Sequence, residues 1–270
     1  MVKRRIFPVL RGLFLGAMLL FLYAPILMLI VYSFNDSKNL GTWQGFTLRW
    51  YADLFLDRTI LRSLWVTVSI AGLSSVTATV LGTAGAIGIH SMRKRARGAI
   101  EGVSQLPMIN PDLVTGISLM LLFVAVGLKD GYVRMLLAHI TFNLPYVIFS
   151  VMPRLRRSSN LLYEAALDLG CTPAQALWRV IIPDIWPGIL SGFILAFTLS
   201  LDDFVISLFV GKSVNNLSMY IFSSAKRGVN PAISTLLFVP VVTLLLIVNL
   251  RAIRKEREEE AQSRKVRRKR

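Results

Sequence analysis

Cysteine, histidine and acid are scarce in this sequence of 270 residues, and each shortage closes off a class of function. A single cysteine, Cys171, leaves no internal disulfide. It reads as a small packing residue. The two histidines, His90 and His139, fall near the ends of apolar stretches. Both read as interfacial, with no metal-ligand cluster around either. No catalytic triad, paired-acid hydrolase site or internal repeat is visible. A phosphate-cradling loop needs a glycine, four residues, then Gly-Lys-Ser/Thr. The "GKS" at Gly211–Ser213 has Ile206 where the first glycine belongs, and it follows an apolar stretch rather than a strand. The chain is therefore expected to be no enzyme and to hold no cofactor or metal.

What the sequence has in excess is apolar length. Hydrophobic residues make up 54% of it, and the mean hydropathy is +0.59. They fall in six blocks, at about 9–32, 60–90, 111–127, 133–152, 188–211 and 233–250. Most approach the roughly 20 residues a helix needs to cross a bilayer core. The third is short and could borrow from Ser104–Ile109. Backbone groups in lipid must be paired within the segment, and a barrel would show short alternating stretches instead. The expected fold class is an all-α integral membrane protein of six transmembrane helices. The first block follows Lys3, Arg4 and Arg5 as a signal peptide would. Its apolar core is too long and lacks a clean cleavage pattern, so it reads as an uncleaved anchor.

Lysine and arginine outnumber aspartate and glutamate 31 to 15. Nucleic acid could account for the excess, but the placement of charge argues for topology. With a cytoplasmic N-terminus, 22 of the basic residues fall in inside segments and nine outside, as the positive-inside rule expects with both termini in the cytoplasm. The partner implied is the lipid bilayer, including anionic lipid, and not nucleic acid. The first outside loop carries Thr47 as a cap for a short helix, with Trp43, Trp50 and Tyr51 suited to the membrane interface. The tail, 251–270, mixes both signs without apolar periodicity.

One inside loop, 154–187, differs from the rest. It reads as two short helices. Asn160 caps the first, and Gly170 stops it. Thr172 caps the second with Pro173 at its first position and Gln175 completing a capping box. Pro183 ends it. Such a hairpin suits docking of a partner, or it only connects two spans.

Two adjacent acids, Asp202 and Asp203, sit within the fifth apolar block. Each costs about 2.5–3.5 kcal/mol at the centre of a membrane helix unless it meets water, a partner or a cation. Counting from Pro187, Asp202 lies about 22 Å along the span at 1.5 Å per residue. Ala196, Ser200, Asp203 and Ser207 follow helical spacing as a small or polar stripe, and Thr198 and Asp202 form a second pair. Asp203 is thus expected to face a water-filled path, with Asp202 flanking it or binding another chain. Phe197, Phe204 and Phe209 could offer rings to a cation or serve as packing. Asp112 reads as an acid in the first turn of a helix capped by Asn110 with Pro111 at its first position, favoured there by the helix dipole. Asn143, Pro145 and Pro240 could kink their helices.

"EAALDLGCTPAQALWRVIIP" resembles the EAA loop of ATP-binding-cassette importer permeases. Glu164, Ala165, Ala166, Gly170 and Pro183 match that pattern, while Val180 and Ile182 replace isoleucine and leucine. "YAPILMLIVYSFNDS", "AHITFNLPYV" and "FTLSLDDFVISLF" resemble the spermidine/putrescine permeases, the second of the two paired subunits. Arg62 departs from the smaller polar residue that relatives often carry. The resemblance implies a type I importer permease fold, one permease domain over 1–250, and a coupling helix through which Glu164, Ala165, Ala166, Gly170 and Pro183 dock on an ATPase. It also implies a heterodimer with a related permease, two ATP-binding-cassette ATPase subunits that bind the ATP and magnesium, and an extracytoplasmic polyamine-binding protein, in a bacterial inner membrane. Asp203, Asp202, Ser200 and Ser207 become the expected substrate pathway. A salt bridge or hydrogen bond to the partner permease, or snorkelling to the interface, would also account for the acids. The same importer with an iron complex, phosphonate or opine as cargo is one alternative function. A stand-alone secondary transporter is another, although it would not need the EAA loop.

Overall fold

A computed structural model describes residues 3–37, 42–157, 160–226 and 251. The sixth apolar block, Pro240 and the tail beyond 251 lie outside the described residues. Helices joined by short loops make up almost all of what is described, with no strand among those residues beyond an isolated Asn35–Phe46 bridge. Contacts divide the chain into two compact units, Met1–Arg58 with Ile221–Arg270, and Thr59–Tyr220.

In the first unit, helix α1 (Lys3–Tyr32) is apolar enough to cross a membrane over Arg11–Tyr32, with mean hydropathy 2.5. The loop after it folds around Asn35. That side chain donates to the Thr42 carbonyl (2.7 Å) and accepts from the Gln44 amide (2.8 Å), while the Asn35 carbonyl accepts from Trp50 Nε1 (2.9 Å). Phe34 stacks between Phe46 and Tyr51, with ring centroids 5.5 Å away on each side. The short helix α2 (Arg49–Leu56) follows. Thr47 supplies the expected hydroxyl, taking the Arg49 N–H at 3.2 Å from just before the cap position. Trp50 departs from its expected place at the interface. It is buried as the core of the loop, because its indole N–H has a carbonyl to meet there, while Trp43 stays exposed.

In the second unit, α3 (Arg58–His90) buries a long face of small residues, among them Ser74, Ala78, Gly82 and Ala86. Helices in lipid gain little from hydrophobic exclusion, so close approach and polar contacts hold them together. Gly82 shows why the face is small: a Cβ there would lie 2.8 Å from Val147 Cβ. Helix α4 (Lys94–Ile109) leads into α5 (Asp112–Ala125) through a bend of 105°. The third apolar block is therefore a broken pair, and the break corrects the expected caps. Asn110 ends α4 rather than capping α5, and Pro111 stands just outside α5.

Helix α6 (Tyr132–Arg157) runs to the hairpin of α7 (Asn160–Asp168) and α8 (Pro173–Ala176). A π turn over Leu177–Ile181 then joins α8 to α9 (Ile182–Asp202), so that Pro173–Asp202 forms one continuous helix of 30 residues. After it come α10 (Val205–Val210) and α11 (Leu217–Lys226). Helices α3, α6 and α9 share one core, including Ala86, Val147, Val151, Ile185, Ile189 and Ala196. Helices α5, α6 and α10 share another, around Leu119, Phe123, Phe142, Ile206 and Val210. Among the described residues four helices are long and apolar enough to cross a membrane, five if the bent pair counts as one span.

Candidate functional site

The hairpin of α7 and α8 closes by local chemistry. Gly170 takes φ +87°, a left-handed conformation that side chains with a Cβ resist. Its N–H donates to the Leu167 carbonyl (2.9 Å), and the Cys171 N–H to the Ala166 carbonyl (3.0 Å). These two bonds form a Schellman stop. Thr172 then starts α8 with a complete capping box. Its hydroxyl accepts from the Gln175 N–H (3.3 Å), and the Gln175 side chain accepts from the Thr172 N–H (3.0 Å).

Glu164 and Ala165 are exposed, Ala166 is buried, and Leu169 stands 87% exposed. Glu164 also borders a cleft of about 840 Å³, lined in part by Ile87, His90, Leu155, Tyr163 and Leu177. Pro183 does not end the second helix as expected. A proline within an α-helix loses one N–H and meets the carbonyl four residues back, here that of Arg179. The preceding π turn, in which the Ile182 N–H donates to the Leu177 carbonyl, widens the helix at that point and lets it continue.

The acid pair sits where the helix does break. Helix α9 stops at Asp202, and Asp203 is extended (φ −59°, ψ 126°). The unbroken helical stripe through Asp203 and Ser207 is thus not formed. The Asp203 carboxylate turns inward, with its side chain 6% exposed. It accepts from the Ile206 N–H (3.2 Å), the Ser207 N–H (2.8 Å) and the Ser207 hydroxyl (2.7 Å), capping α10. Ser200 and Ser207 are buried with it. Asp202 and Thr198 lie instead on the exposed face of α9. Phe204 packs against the core around Met135 and Val66.

His139, expected at an interface, is buried in the middle of this arrangement. Its Nδ1 lies 3.0 Å from Ser200 Oγ, its Nε2 3.0 Å from Ser207 Oγ, and that same nitrogen 3.5 Å from the Asp203 carboxylate. Asn143 donates to Ser200 Oγ (2.8 Å), and Ser200 Oγ lies 3.0 Å from Ser74 Oγ. Asn216 donates to both the Asp203 carbonyl and Ser207 Oγ (2.8 Å each). Buried polar groups must find partners, and here α3, α6, α9, α10 and the turn before α11 supply them to one another. A local signal for this cluster exists in the sequence: "SLDDF" places an N-cap residue type just before the apolar "VISLFV".

Gly116 lies one turn into α5 from Asp112, where a Cβ would come 3.3 Å from the Ile206 Cα of α10, so α5 runs beside the segment that follows Asp202. Asp112 and Asp202 are both exposed, and Tyr146 is half-buried. Asp112 opens α5 and Asp202 closes α9, and Leu199 of α9 and Tyr146 of α6 both pack against the core around Leu119, Phe123 and Ile206. No group of residues fit to hold a metal occurs among the described residues.

Comparison with known proteins agrees with this architecture. Residues 78–253 match the protein family described as binding-protein-dependent transport system inner membrane component. The chain is 41% identical over 224 residues to the putrescine transport system permease protein PotI of Escherichia coli K12, covering 80% of each. It is 38% identical over 242 residues to the spermidine/putrescine transport system permease protein PotC of Haemophilus influenzae, covering 89% of this chain and 94% of that one. In fold it is similar to a chain of the bacterial ABC transporter that imports the acidic polysaccharide alginate, with a TM-score of 0.71 at 18% identity over 92% of this chain and 96% of that one. It is also similar to a chain of the MetNI methionine ABC transporter, with a TM-score of 0.59 at 18% identity over 72% and 93%.

Proposed function

The chain belongs to the family of binding-protein-dependent transport system inner membrane components, and from that premise we propose that it is the translocation subunit of an ATP-driven polyamine importer. The observation that carries the cargo is the 41% identity with a putrescine permease over 80% of the chain. The exposed carboxylates of Asp202 and Asp112 suit it. A polyamine carries two or more ammonium groups on a flexible chain. Two carboxylates from different helices attract such a ligand strongly where the surroundings are poor in water, and the Tyr146 ring adds a cation–π surface. Asp202 is the acid that meets the cargo. Asp203, Ser200 and Ser207 stand behind it.

In this reading the chain works with a related second permease, two ATPase subunits that bind and hydrolyse ATP, and an extracytoplasmic polyamine-binding protein. Residues 1–250 form one permease domain in a bacterial inner membrane, followed by a charged tail, with both termini cytoplasmic. The hairpin, through Glu164, Ala165, Ala166 and Gly170, docks on the ATPase. Pro183 lies in the helix that carries ATPase motion toward Asp202. A ligand shifts the inward- and outward-open states only through unequal affinity for them, so the acids act on coupling as well as on binding.

The test is ATP-dependent uptake of labelled putrescine and spermidine by proteoliposomes that hold the complete complex, with this chain present or omitted. Uptake that needs both ATP and this chain is expected. A complex with intact ATPase activity that moves neither polyamine would refute the cargo.

A further inference from the structure

The buried cluster at the helix break contains a member that crosses the break through side chains alone. Asp203 caps the open amides of α10, and Asn216 takes the Asp203 carbonyl. Those contacts satisfy three of the peptide groups freed at the break. His139 has no backbone partner for its ring among the described residues. It reaches two hydroxyls, Ser200 on the last turn of α9 and Ser207 on α10, and so spans the break from one side to the other. The proton order follows from the acceptors. Asp203 accepts only, so the Ser207 hydroxyl proton goes to it at 2.7 Å. Ser207 Oγ is then an acceptor toward the ring, and His139 Nε2 carries a proton. Asn143 donates to Ser200 Oγ, and the Ser200 hydroxyl lies 3.0 Å from both His139 Nδ1 and Ser74 Oγ. A continuous chain of polar contacts therefore runs from Asn143 through Ser200, His139 and Ser207 to Asp203.

We propose that His139 is a positioning residue for cation transport. By bridging Ser200 and Ser207 it fixes the angle at which α9 ends, and with it the place of the Asp202 carboxylate relative to Asp112. This rests on the reading that Asp202 meets the ammonium groups of the cargo. The separation of two fixed carboxylates selects among diamines by length, so the bridge sets a length preference, which a residue needed only for folding would not do.

The test uses proteoliposomes that hold the complete importer and compares maximal uptake rates over a series of α,ω-diamines of increasing chain length, each delivered by saturating loaded binding protein. The binding protein is the same throughout, so a changed profile belongs to the permease. His139→Gln keeps a donor near Ser207 and gives up the Ser200 contact, while Ser207→Ala gives up the hydroxyl and leaves the imidazole. In either variant the ratio of rates for the shortest and longest diamines is expected to shift by about tenfold, the worth of one strong hydrogen bond. An equal fall across the series, with the profile unchanged, would overturn the proposal. So would failure of both variants to assemble, which would make the bridge a folding requirement. Asp202→Asn separates the two ideas. If that variant transports like the unsubstituted chain, the reading of Asp202 fails. If it loses transport while the profile of His139→Gln is unchanged, only the role of His139 fails.

Discussion

Adjacent aspartates of identical chemistry end in opposite environments because the helix stops between them. Asp203 is held by two amides and a hydroxyl in the interior, and Asp202 is exposed. Their substitutions should therefore separate. Asp203→Ala removes a cap and leaves the Ser207 hydroxyl without its acceptor. It should lower the stability of the purified complex by about 1–2 kcal/mol, read as a lower midpoint in thermal unfolding in detergent. Asp202→Asn should leave that midpoint where it is and reduce polyamine uptake. If both variants lose stability equally, the two environments are not distinct. The sequence showed that an acid pair in an apolar run must meet water, a partner or a cation, and it placed Ser200 and Thr198 on different faces correctly. It could not show which face was buried, because that depends on His139 and Asn143 arriving from α6. A lone histidine near a span end carries no sign of the hydroxyls it will meet.

At the scale of the element, the hairpin was legible and the join that follows it was not. Gly170, Thr172, Pro173 and Gln175 are local signals, and the Schellman stop and capping box form as their spacing implies. Gly170→Ala must hold a Cβ at φ +87°, which costs about 1–2 kcal/mol. It should weaken the stimulation of ATPase activity by loaded binding protein more than the basal activity. Unchanged stimulation would mean that the turn is not needed for coupling. Pro183 misled because a proline ordinarily ends a helix, and a π turn has no sequence signature of its own. Helix contacts are similarly silent in one dimension. Gly82→Leu should reduce the yield of assembled complex, measured by size-exclusion chromatography, since its first side-chain carbon already lies 2.8 Å from Val147 and overpacking of this kind costs about 1–3 kcal/mol.

For the whole molecule, hydropathy was enough to identify a multi-pass helical membrane protein, because the bilayer imposes segment length and backbone pairing on any sequence. The break between α4 and α5 escaped that logic: a window of apolar residues reports length and not direction, and the 105° bend lies at Asn110–Pro111. Partners enter at this scale too. Glu164→Lys reverses the charge of an exposed side chain on the hairpin. It should abolish ATP-driven uptake while leaving membrane insertion and the amount of this chain in the membrane unchanged. Normal uptake would remove Glu164 from the docking surface.

The helix from Pro173 to Asp202 has a mechanical consequence. Thirty residues at 1.5 Å each make a rod about 45 Å long, comparable with a whole bilayer including its headgroups. The capping box fastens one end to the hairpin, and Asp202 terminates the other. A perfectly stiff rod would carry the whole of a twist from its hairpin end to the carboxylate at the far end. The wide turn at Leu177–Ile181, with its longer hydrogen-bond ring, is the most compliant section of that shaft. The ratio between its softness and the stiffness of α9 determines how much of any rotation of the hairpin arrives at the acid.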